Sequence, residues 1–124
     1  MLYRGIIAIA IITLATGLGQ VVAAPEILAL VGAKVSSTSA HFFAIIGMFM
    51  CLFSALLLQA LKSGQHAAFA MFWCGMQKFG AAAAIGLGVY GNIFSALALS
   101  VAAFDLLSGI IILVYWKKLQ KEKQ

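Results

Sequence analysis

"CGMQKFGAAAAIGLGVYGNIFSALALSVAAFDLLSG", residues 74–109, carries one lysine and one aspartate in a run that is otherwise apolar, small or uncharged. Two apolar stretches meet at Gly91-Asn92, a dipeptide with turn chemistry. Lys78 lies 13 residues before Gly91 and Asp105 lies 13 residues after Asn92. Folded there as an antiparallel pair of helices, the segment brings the two charges level. The positions three and four away from Lys78 are Cys74, Gly75, Ala81 and Ala82; those around Asp105 are Val101, Ala102, Ser108 and Gly109. Both charges therefore sit on small-residue faces, where helix backbones in a membrane approach closely. A lone charge at the bilayer centre costs about 3 kcal/mol on insertion scales, so mutual pairing is the cheapest resolution open to both.

The rest of the chain supplies the membrane. Of its 124 residues 65% are hydrophobic and only 9% charged, with a mean hydropathy of +1.11, which leaves too little polar surface to coat a soluble globule. Four windows of roughly 20 apolar residues are expected to span a bilayer, at about 3–23, 41–61, 67–90 and 93–116, within one domain covering 1–124. The expected fold class is all-α, an integral membrane four-helix bundle. On this scheme Lys78 lies 11 residues past Ala67, about 16 Å into a hydrocarbon core of about 30 Å.

The breaks between spans are written in turn and capping residues. "SSTS" at 36–39 offers N-cap hydroxyls to the second span and "KSGQH" at 62–66 ends it. The long first loop contains "PEILALVGA", with Pro25 at a helix start, Glu26 in the first turn and Gly32 near the end, which predicts a short interfacial helix. It either caps a cavity or covers the end of the bundle.

Orientation follows from the positive residues. With four spans the two ends share a side, and that side holds Arg4, Lys62, Lys117, Lys118, Lys121 and Lys123, against Lys34 on the other. Both termini are expected to be cytoplasmic and the location to be the plasma (inner) membrane. The first residues, "MLYRGIIAIAIITLATGLGQVVAAPE", also resemble a cleavable signal, but the apolar stretch exceeds a usual h-region and is read as a retained span. The net charge of +5 does not imply nucleic-acid binding, because the lysines of "KKLQKEKQ" directly follow Tyr115-Trp116 and suit anionic lipid headgroups.

Other polar residues are few. Thr13, Thr16, Gly17 and Gln20 share one face of the first span and form a possible polar seam, either lining a wet cavity or bonding across a helix interface. Gln77 points about 100° away from Lys78 around its helix. Gly80, Ala84 and Gly88 form a small-residue ridge that is expected to pack helices. His41 and His66 fall on opposite sides of the membrane, and Cys51 and Cys74 sit singly within spans, so no metal, no haem and no other cofactor is expected. No nucleophile–base pair, phosphate loop or carboxylate dyad occurs, and an enzyme is not expected.

Four short-looped spans, a longer first loop with a Pro-initiated helix, and "HFFAIIGMF" opening the second span together resemble the DoxX-like small membrane proteins. That resemblance implies the same four-span plan and carries no functional residue over. Small multidrug transporters share the size and span count, but a glutamate expected inside their first span has no counterpart here. Two functions remain open on the sequence. The first is an accessory or structural subunit, partnered by the bilayer and by other membrane subunits or copies of itself. The second is a small oligomeric transporter or channel with Lys78 and Asp105 near the path. The pair itself serves as a register-fixing salt bridge, as a relay, or as a contact to a partner.

Overall fold

The computed structural model describes residues 1–123; Gln124 and the side chain of Lys123, both within the basic tail, lie outside the described residues. The described chain is helical with short connections: α1 Leu2–Val22, α2 Ala24–Leu30, α3 Ser37–Ser63, α4 Ala68–Tyr90 and α5 Ala98–Lys123, with one 3-10 turn at Gly64–Ala67. Three helical stretches are long and apolar enough to cross a membrane: Leu2–Val22, Ser37–Tyr90 and Ala98–Glu122. The middle stretch, 54 residues, is α3 and α4 joined through the 3-10 turn. Gly64 breaks it at φ +58°, a left-handed value that glycine adopts without a Cβ clash. Phe53, Ser54 and Leu57 of α3 and Cys74, Gln77 and Lys78 of α4 line one cavity.

Local chemistry fixes the ends. Ser36 and Ser39 form a reciprocal capping box, Ser36 Oγ accepting from Ser39 N at 3.0 Å and Ser39 Oγ from Ser36 N at 2.8 Å. The helix therefore begins at Ser37, four residues before the apolar span predicted from 41. Pro25 stands in the first turn of α2, as its missing N–H allows. That helix closes with Gly32 at φ +77°, Ala33 N bonding Leu28 O and Gly32 N bonding Ala29 O. The same double bond ends α4, from Ile93 N to Gly88 O and from Asn92 N to Val89 O, with Asn92 in the left-handed position at φ +61°. The two turns meet, Ser95 N donating to Val31 O at 2.7 Å.

One boundary differs from the sequence reading. The fourth long helix starts at Ala98, not at 93. Residues 93–97 instead fold back along the last turn of α4: Phe94 N also reaches Gly88 O, and the Phe94 ring lies where a side chain on Gly88 would be. Lys78 Nζ and Asp105 Oδ1 still come within 3.4 Å of each other.

The long helices pack as neighbours in the order α1, α3, α4, α5 and back to α1, with α1 and α4 across the assembly from one another. The tightest pairs are α1 with α3 and α4 with α5. The apolar core gathers toward the end where α3 turns into α4, around Ile6, Ala10, Leu57, Leu61, Met71 and Ile112. Outward faces are apolar as well, with Leu18, Phe49, Phe69, Leu87 and Leu107 all exposed. A surface of that kind suits hydrocarbon as its solvent.

Candidate functional site

The pairing of helices places the charges. Gly75 of α4 and Gly109 of α5 abut: a Cβ on Gly109 would stand 3.2 Å from Gly75 O, and one on Gly75 would stand 2.8 Å from Leu113 Cδ2. With backbones this close, the side chains one turn away are forced together. Lys78 Nζ lies 3.4 Å from Asp105 Oδ1, a buried salt bridge with 4% of Lys78 and 7% of Asp105 exposed.

The ammonium is not held by the carboxylate alone. Lys78 Nζ donates to Thr13 Oγ1 at 2.6 Å, a bond from α4 across the assembly to α1, and lies 5.4 Å from the centre of the Phe104 ring. The shorter bond goes to the neutral hydroxyl, so the cation sits between α1 and α5. One lysine thus connects three helices, and a buried charge is tolerable only when compensated in this way. Ser108 of α5 and Ser54 of α3 are each 1% exposed; the Ser54 hydroxyl donates to Met50 O at 2.8 Å. Beside the ammonium is a cavity of about 10 Å³ lined by Thr13, Phe53, Ser54, Leu57, Cys74, Gln77 and Lys78. That is room for about one water.

The polar seam of α1 divides. Thr13 faces Lys78, Gly17 packs on α3, and Gln20 is buried beside Gly47 with its Oε1 unpartnered. Thr16 is exposed and turns its hydroxyl back to Ile12 O at 2.8 Å. The glycine ridge of α4 divides too: Gly88 is buried under Phe94, while Gly80 and Ala84 lie on the outward face with open space at Gly80. Among the described residues, no group of three or more His, Cys, Asp or Glu gathers at metal-binding distance.

The first helix pair is held by Gly17, which the sequence places on the seam of the first span, and by Gly47, which sequence reasoning passed over. A Cβ on Gly17 would stand 2.7 Å from Gly47 O, and one on Gly47 would stand 2.6 Å from Gly17 O. Cys51 closes the same seam, its Sγ donating weakly to Leu14 O at 3.7 Å. The available signal was "ATGLG" at 15–19 facing "IIGMF" at 45–49, two glycines at matching depth in consecutive antiparallel spans.

The chain matches no protein-family model, no curated protein sequence and no solved structure.

Proposed function

We propose that this protein is a small integral membrane protein whose four long helices α1, α3, α4 and α5 each cross the bilayer, and that it acts as an accessory or structural subunit of a membrane complex. The side with Arg4, Lys62 and the lysines of α5 faces the cytoplasm of a plasma (inner) membrane, and α2 lies at the opposite interface. The proposal keeps the four-span plan of DoxX-like proteins, with one long helix, a short Pro-started helix and three more long helices in that order.

The observation that carries this reading is the tie at Lys78. The ammonium is engaged by Asp105 and Thr13, and the adjoining cavity of about 10 Å³ takes one water rather than a file of them. Such a charge fixes helix register. Partners are other membrane subunits or further copies of the chain, reached through apolar outward faces; no cofactor or catalytic group is assigned.

Gentle extraction from the native membrane followed by native mass analysis tests the proposal. Unlike subunits retained in fixed ratio support it; a lone homo-oligomer that conducts or transports in reconstituted vesicles overturns it. The second reading, a small oligomeric transporter with the Lys78–Asp105 pair beside its path, draws on Ser54 and Gln77 reaching the same cavity. Exchanging the charges, Lys78→Asp with Asp105→Lys, separates the two. A structural tie survives the exchange in folded yield, whereas a relay loses its activity even in folded protein.

A further inference from the structure

The outward face of α5 changes character once along its length. Ala103, Leu107, Ile110 and Val114 follow one another at helical spacing and are exposed; the next residues on the same face are Lys117, Lys118 and Lys121, also exposed. The opposite face is committed to the protein, with Ile112 and Leu119 buried and Trp116 against Phe72 of α4 at 5.0 Å between ring centres. A recess of about 290 Å³ is lined by Val114, Lys117, Lys118 and Lys121. Ala103 to Val114 spans about 16 Å at 1.5 Å per residue, and one leaflet of hydrocarbon is about 15 Å deep. The apolar stripe thus has the depth of one leaflet and ends in three ammonium groups at headgroup level.

Resting on the membrane reading above, we propose that this face of α5 is a binding site for an anionic phospholipid of the cytoplasmic leaflet, one whose headgroup carries two phosphates. The acyl chains lie along Ala103, Leu107, Ile110 and Val114 and against the lysine stems that line the recess, and the phosphates meet the ammonium groups at the ends of those stems. Three cations within two turns exceed the single charge of an ordinary phosphodiester. Glu122, the one acid in this segment, stands one turn after Lys118 and offsets one of the three charges, and a headgroup with two phosphates answers the two that remain. The apolar stripe selects a lipid over a free anion, because an inorganic phosphate gains nothing from Leu107 or Ile110. The lipid would fasten the end of α5 at a fixed depth, which a subunit assembling with others in the membrane requires.

The test uses the full-length protein in detergent micelles, titrated with cardiolipin, phosphatidylglycerol and phosphatidylcholine and read by native mass spectrometry. Cardiolipin is expected to be retained most tightly and phosphatidylcholine least. Each lysine near a charged lipid surface is worth about fivefold, so the combined Lys117→Gln, Lys118→Gln and Lys121→Gln variant loses about a hundredfold in cardiolipin affinity. Lys62→Gln, a lysine on a different helix, leaves it unchanged. Equal retention of all three lipids, or a triple variant within twofold of the wild type, overturns the site. Pyrophosphate bound as tightly as cardiolipin also overturns it, since the stripe then contributes nothing. An alkaline wash of native membranes keeps the two claims apart: release of the chain overturns the membrane reading and this site with it. Retention together with unselective lipid binding overturns the site alone.

Discussion

The pair α1–α3 and the pair α4–α5 are each closed by two glycines, yet they are held by different chemistry. At the first crossing Gly17 and Gly47 bring backbone against backbone, and the surroundings, Met50 and Cys51, are uncharged. At the second, Gly75 and Gly109 do the same, and Lys78 and Asp105 meet one turn away. The first pair depends on fit, with the weak bond from Cys51 Sγ to Leu14 O beside it. The second depends on fit and on a charge balance, and Lys78 passes the consequence to the first pair through Thr13. In lipid, where apolar side chains gain nothing by leaving one hydrocarbon environment for another, close backbone packing and buried polar bonds are what distinguish a correct helix pairing from a wrong one. Each variant below weakens one side of that comparison.

The largest effect is expected from Lys78→Ala, which leaves Asp105 buried without its cation. Loss of one partner of a buried pair costs about 3 to 5 kcal/mol, to be read as a fall in the midpoint of denaturant titration in mixed micelles. The double variant Lys78→Met with Asp105→Leu removes both charges at similar volume. It is expected to recover most of that loss, because apolar replacement of a buried pair is often neutral or stabilising. A double variant as unstable as Lys78→Ala would mean that the pair does more than cancel itself.

Next comes the uncharged crossing. Gly17→Ala puts a methyl group 2.7 Å from the Gly47 carbonyl oxygen, and backbone cannot step aside as a flexible side chain can. Overpacking of this kind costs about 1 to 3 kcal/mol. A smaller loss follows from Thr13→Val, which keeps the shape of the side chain and removes the acceptor for Lys78. Interhelical hydrogen bonds in membranes average about 0.6 kcal/mol. If the same titration gave a loss from Thr13→Val as large as that from Lys78→Ala, the hydroxyl and not Asp105 would be the principal partner of the cation.

The charged crossing was open to sequence reading because charges are rare in a span and a turn provides an origin to count from. Lys78 and Asp105 came level from Gly91-Asn92 by counting alone. The start of α5 did not come out, because Ile93, Phe94 and Leu97 are as apolar as any helix residue and hydropathy does not distinguish a covering loop from a first turn. Phe94 is drawn back by a requirement invisible in its own neighbourhood, the bare backbone at Gly88. The uncharged crossing was half open, because Gly17 shares a face with Thr13 and Gln20, and its other half, Gly47, was hidden for a related reason. Where the outside of a helix is lipid, inner and outer faces are equally apolar, so periodicity no longer says which small residue faces in. Gly17 and Gly80 look alike in sequence. One lies against a carbonyl oxygen and the other against open space.

That contrast supports the smallest expected effect and the most informative one. Gly80→Leu adds a large side chain where nothing lies within 4 Å and where Ala84 is exposed one turn further on. Gly80 is exposed and a Cβ there meets no neighbour within the chain, so the midpoint in denaturant is expected to move by less than about 0.5 kcal/mol. The assembly is a separate observable. Gly80 and Ala84 form a flat patch on α4, with Trp73 and Leu87 exposed near its two ends, and small patches are where another helix in the bilayer comes nearest. An unchanged midpoint with partners lost from the extracted complex would show that α4 offers its outer face to another subunit, as the inner face already serves α5. An unchanged midpoint with unchanged partners would leave that face to lipid and move the search for a docking surface to α3, where Phe42, Ile46, Met48, Phe49, Leu52 and Leu56 are the large exposed apolar side chains.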